Sequence, residues 1–151
     1  GAVKADVWAL FFAPFWAKDD PGLVFAAVSH GAAAFEHAST ILRGHEDMVF
    51  DVVSLRPQAY EYAYEEQRGN WRIALLAISQ DESLAEYFPG SERVLQDILR
   101  TVRENRETLD AQFKIQNLRV RSKLESYEKI TYERSYADSR SEHASKRTGT
   151  E

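Results

Sequence analysis

A seven-residue apolar block occurs three times at a spacing of 25 residues: LVFAAVS from Leu23 to Ser29, MVFDVVS from Met48 to Ser54, and IALLAIS from Ile73 to Ser79. The register extends beyond the blocks. Glu36, Glu61 and Glu86 share it, each followed by an aromatic ring (His37, Tyr62, Tyr87), and a basic residue recurs as Lys18, Arg43, Arg68 and Arg93. Self-similarity at this period is the mark of an α-solenoid, in which each unit buries its apolar face only by stacking on its neighbours. The expected fold is therefore all-α, a short stack of helix pairs.

Punctuation supports helices rather than strands. Asp20 before Pro21 reads as an N-cap with a first-turn proline, and Gly31 closes that helix. A second helix is expected over about 32–42, before Gly44. The next pair is expected over about 46–55 and 58–67, broken at Pro57 and ended by Gly69. Asn70 caps the third pair, which runs to Pro89-Gly90. From Glu92 to Thr148 there is neither glycine nor proline, and Ser91 is a ready N-cap. Leu95, Val102 and Leu109 fit one heptad position, which Gln116 and Lys123 then interrupt. This predicts one long helix whose first turns continue the stack, since Ile98 and Val102 keep the register of Ile73 and Ala77. The organisation expected is an aromatic N-terminal segment (1–17), a repeat domain (18–90), a projecting helix (91–136) and a polar tail (137–151).

Charge limits the function classes. Residues 1–90 carry a net −7 and residues 91–151 a net +2, and an acidic body disfavours nucleic acid as a partner. With no cysteine, thiolate metal sites, disulfides and cysteine nucleophiles are excluded. The longest apolar run, Val7 to Ala17, falls far short of the roughly 20 residues that span a bilayer. Phosphate loops, nucleophile elbows and dinucleotide fingerprints are absent from the sequence. The chain starts at Gly1, which reads as a processed product or a fragment without an intact signal peptide.

Several residue groups invite chemistry and have a plainer reading. His30, His37 and His45 crowd the first unit, yet His37 holds a position occupied by tyrosine in the other copies, which is a packing position; no metal or cofactor is expected. Asp19-Asp20 and Glu46-Asp47 open helices, where the macrodipole favours negative charge, and Glu65-Glu66 reads as solvated surface near a helix end. The glutamate and basic rows would stack into an ion-pair ladder between units. No catalytic residue emerges.

Two segments read as partner-binding. Trp8, Phe11, Phe12, Phe15 and Trp16 form the densest aromatic stretch, either a degenerate leading repeat, a docking arm or a peripheral membrane contact. Phe113, Val120, Leu124 and Tyr127 form an apolar stripe expected to project from the stack and bury against another chain.

The run from Asp19-Asp20-Pro21-Gly22 through Val24, Val28, Gly31 and Phe35 to the restart at Glu46-Asp47-Met48 resembles a tandem helical-repeat family, domain of unknown function 4116, over residues 18–88. The resemblance implies a small all-helical tandem fold, of a kind found in protist and algal proteins and some intracellular bacteria, and no catalytic residues. Pro57 in place of the Gly31 break and Trp71-Arg72 in place of Glu46-Asp47 depart from the pattern. The expectation is a non-catalytic accessory subunit of a larger protein assembly, in an organellar respiratory or photosynthetic setting, whose head docks and whose helix, reaching roughly 75 Å if about fifty residues long, bridges subunits. The alternative is a secreted or regulatory binding module of effector type.

Overall fold

The computed structural model describes residues 11–148, with side chains as far as Tyr127 and at Lys129. Each period of 25 residues builds the same three pieces. The first unit has α1 (Phe15–Lys18), α2 (Pro21–His30) and a 3-10 helix (Ala32–His37). The second has α3 (Thr40–Arg43), α4 (Glu46–Leu55) and a 3-10 helix (Pro57–Tyr62). The third has α5 (Glu65–Arg68), α6 (Trp71–Gln80) and a 3-10 helix (Glu82–Tyr87). Then come α7 (Glu92–Glu104) and the long α8 (Arg106–Thr148). The described residues contain helices and no strand.

The expected second helix of the first two pairs is split in two, while that of the third pair is a single 3-10 helix. Between the 3-10 helix and the one-turn helix the chain passes through extended residues, Ala38 and Ser39 in one unit and Ala63 and Tyr64 in the next. Extension frees backbone groups that stitch units together: Ser39 N–H donates to the Lys18 carbonyl (2.8 Å) and Tyr64 N–H to the Arg43 carbonyl (3.2 Å). A continuous helix would have spent those donors on itself.

Apolar burial follows the register. Val24, Ala27 and Val28 of α2, Val49, Val52 and Val53 of α4, and Ile73, Ala74, Ala77 and Ile78 of α6 lie in one continuous core with Phe35 and Tyr60 from the 3-10 helices. The serine ending each block has a distinct job. Ser29, Ser54 and Ser79 donate their hydroxyls back to carbonyls of their own last turn (Ala26, Phe50 and Leu76). Their own carbonyls accept from Arg56, Asn117 and Arg106 respectively.

The C-terminal region corrects the expected single projecting helix. It breaks at Asn105 (φ −124°, ψ 27°), the position in register with the last residues of α2, α4 and α6. From there α8 turns back and lies across α6, α4 and α2. Val120 is fully buried and Leu124 is 8% exposed, both in the head's own core. Covering two such side chains is worth about 1.5–3 kcal/mol each relative to leaving them in water, which projection would forfeit. The helical backbone runs past the last described contact at Tyr127 to Thr148.

Polar groups set where the helix lies. Asp51 is the one charged residue in any of the three apolar blocks, and Gln116 and Lys123 are the two polar interruptions of the heptad seam. They meet: Lys123 Nζ is 3.0 Å from Asp51 Oδ2, and Gln116 Nε2 donates to Asp51 Oδ1 at 3.4 Å. Asn117 Nδ2 donates to the Ser54 carbonyl at 2.8 Å. Farther along, the Tyr127 ring stacks on Phe25 (5.9 Å between centroids, 13° between planes). Gly22 makes room for it, since a Cβ there would come within 3.0 Å of the tyrosine ring.

Candidate interaction surfaces

The one-turn helices present three structurally equivalent pairs of outward positions, and the chain fills them differently. Ala17, Leu42 and Gln67 point inward from α1, α3 and α5 and are buried. Two and one places earlier stand Phe15-Trp16, Thr40-Ile41 and Glu65-Glu66, all exposed. Glu65-Glu66 is what water favours there, and the pair sits in the first turn of α5 rather than near a helix end, where the macrodipole also favours it. Phe15 and Trp16 are each 68% exposed and Ile41 is 63% exposed. The edge thus runs from aromatic to acidic across three units.

Beside Phe15 and Trp16, Phe12 is 77% and Phe11 43% exposed. Phe11 meets Phe12 edge-on at 4.9 Å and the His37 ring edge-on at 4.8 Å. Trp8 lies outside the described residues. The second expected set does not join this surface. Phe113 is half-buried on α8, Val120 and Leu124 are in the core, and Tyr127 is stacked on α2. The chain itself covers these residues.

The charged rows do not form the expected ladder. Among the described residues no ion pair joins Glu36, Glu61 or Glu86 to the basic row. The arginines instead clasp the end of their own unit's 3-10 helix: Arg43 Nε donates to the Tyr62 carbonyl (2.9 Å) and Arg68 Nη1 to the Tyr87 carbonyl (2.7 Å). The glutamates hold the tyrosine row. A hydrogen bond to Glu61, then burial and the charges of Glu61 and Glu36, push the Tyr62 phenol up to about 12. Hydrogen bonds to Glu61 and Glu86 push Tyr87 up as well. Burial does the same to Tyr60, whose hydroxyl donates to the Arg68 carbonyl.

Two of the histidines have structural partners. His45 Nδ1 caps α4 by accepting from the Met48 N–H (3.3 Å), and His37 carries the Phe11 ring. Among the described residues no three His, Asp or Glu side chains converge on a metal position. No helix among them is long and apolar enough to cross a membrane.

A second surface was not anticipated from sequence. A half-open cavity of about 420 Å³ lies between α8 and the pair α4 and α6, walled by Phe50, Leu75, Leu76, Leu109 and Ile115. The Arg72 guanidinium closes one side, 3.7 Å over the Phe50 ring and held by Glu46 (3.5 Å) and Asp47 (3.7 Å). The advance signs were Ile115 and Leu118, apolar residues set outside the heptad seam.

Compared with protein-family models, curated proteins and solved structures, the chain matches none.

Proposed function

We propose that the protein is a non-catalytic interaction subunit that docks onto an apolar surface of another protein, within a larger assembly, through the aromatic edge of its first repeat. One observation carries this reading: at equivalent exposed positions the third unit has Glu65-Glu66 and the first has Phe15-Trp16. The position itself demands no apolar residue, so packing does not account for the aromatic pair. The α1 turn gives the first repeat an apolar outer face, the reverse of the acidic one on α5. Aromatic side chains in a pocket of the partner are the usual anchors of such interfaces.

The polar groups inside the head support a structural rather than chemical role, because arginines, serines and tyrosines are engaged in holding units together. Reach past the head is left to the part of the C-terminal helix beyond Tyr127, since the part before it packs one face along the head.

The test is native purification of the full chain beside a Phe15→Ser, Trp16→Ser variant. Wild type should travel in a stoichiometric complex and the variant should elute alone, with an unchanged helical circular dichroism spectrum. Co-purification that survives the double substitution sinks the reading. Flotation of wild type, but not the variant, with lipid vesicles in the absence of other protein would transfer the edge to membrane contact.

A further inference from the structure

We propose that the outer flank of α8, with the cavity beside it, is a second docking site, and that its occupant is an acidic amphipathic helix of a partner protein. This face is distinct from the aromatic edge and does not depend on it. Ile115 is 69% and Leu118 67% exposed, three residues apart and therefore neighbours on one helix surface. Ile115 also forms one wall of the half-open cavity, so ridge and hollow are continuous.

Charge selects the occupant. Between Asp110 and Glu125 the chain has no acidic residue, and it places Lys114, Arg119 and Arg121 around the ridge, all exposed. None of the three forms an ion pair among the described residues; Arg121 only donates to the Asn117 side chain (2.9 Å). Four of the nearby acids are already engaged, and Glu125, one turn beyond Arg121, marks the acidic end of the patch. Glu46 and Asp47 hold Arg72, Asp51 holds Lys123, and Asp110 lies by Arg106 and Gln80. A chain with net charge −5 thus concentrates unneutralised positive charge around exposed aliphatic side chains. A helix whose apolar face carries an anchor at i, i+3/i+4 and whose margins are Asp and Glu meets both features; helix-in-groove recognition has this form. Arg72, fixed on the Phe50 ring, limits the hollow to a side chain of aliphatic or aromatic size.

The test uses a displayed library of random 16-residue peptides selected on the full chain. Selected peptides should be acidic, with apolar residues at helical spacing. Synthetic copies should bind at least about tenfold more weakly to Ile115→Glu and to the triple variant Lys114→Gln, Arg119→Gln, Arg121→Gln. The triple variant should also lose most of the salt dependence. All these substitutions are at exposed positions, so the helical spectrum and urea midpoint should match wild type. Binding should persist in Phe15→Ser, Trp16→Ser, which separates failure here from failure of the aromatic edge. The proposal is overturned by peptides with no acidic bias, by affinity unchanged in both groove variants, or by binding to phosphatidylserine vesicles that needs these residues when no peptide does. Peptides copying this chain's own sequence, with concentration-dependent dimers, would also overturn it by making a second copy the occupant.

Discussion

The aromatic segment at residues 11–16 and the stripe from Phe113 to Tyr127 look alike as sequence, yet the fold treats them oppositely. Val120 and Leu124 vanish into the core, while Phe15 and Trp16 remain 68% exposed. The difference lies in what each element faces. α8 crosses α6, α4 and α2 in turn, so one face of it meets the apolar core along the crossing. α1 is a single turn that uses Ala17 to reach the core and has no inward position left for its larger side chains. Hydrophobicity in a segment therefore signals a partner only after the chain's own open surfaces have been filled.

The sharpest way to break this contrast is truncation after Thr108. Removing the covering helix should abolish the cooperative urea transition or lower stability by more than about 4 kcal/mol, since two core side chains and their cover go together. A head that unfolds at the wild-type midpoint would mean that α8 is an accessory. Leu124→Ala should cost about 2–4 kcal/mol by the same measurement; a change below about 1 kcal/mol would place Leu124 with the exposed set. Asp51→Ala should cost about 1–3 kcal/mol, because Lys123 and Gln116 lose their shared acceptor. A double-mutant cycle with Lys123→Ala isolates the pair, and zero coupling would deny it any part in seating the helix.

Aromatic residues committed to the fold also differ from the edge in how they titrate. Tyr60, Tyr62 and Tyr87 have phenols raised above the ordinary tyrosine value of about 10. The folded state thus favours their protonated form. That contribution is complete below about pH 10 and is lost as pH rises towards 12 and beyond. Thermal midpoints should fall across that window, less steeply in Tyr62→Phe, Tyr87→Phe. The smallest effect belongs to Phe15→Ser, Trp16→Ser, within about 0.5 kcal/mol of wild type in isolation; a larger loss would show that the edge is part of the core.

Local chemistry made much of the head legible. Asp20 accepts from Gly22 and Leu23 N–H, Asn70 from Arg72 N–H and Ser91 from Val94 N–H, at the three helix starts where caps were expected. The 25-residue period named the core of α2, α4 and α6. The break at Asn105 was harder, because no glycine or proline marks it, although the period does. The return of α8 was hidden for another reason. Asp51 spoils an apolar block, Gln116 and Lys123 spoil a seam, and each looks like a defect until the two are set face to face. Contacts between residues so far apart in sequence leave no local pattern. The aromatic edge was visible as composition, but its meaning came from comparing equivalent turns, and the basic flank of α8 emerged only once its other face was known to be covered.

The path of α8 also makes it a gauge of repeat number. Packed helices lie about 8–10 Å apart and a helix rises about 1.5 Å per residue, so each unit consumes roughly five to seven residues of the covering helix. Asp110 bonds to Gln80 at the end of α6, Asn117 to Ser54 near the end of α4, and Leu124 falls one further step along. Duplicating a unit in the head without adding about two turns to α8 would leave a unit uncovered. Deleting one would push an apolar step past the end of the stack. The tally of modules and the length of their cover can therefore change only in step, so a growing or shrinking array would have to alter two distant stretches of chain together.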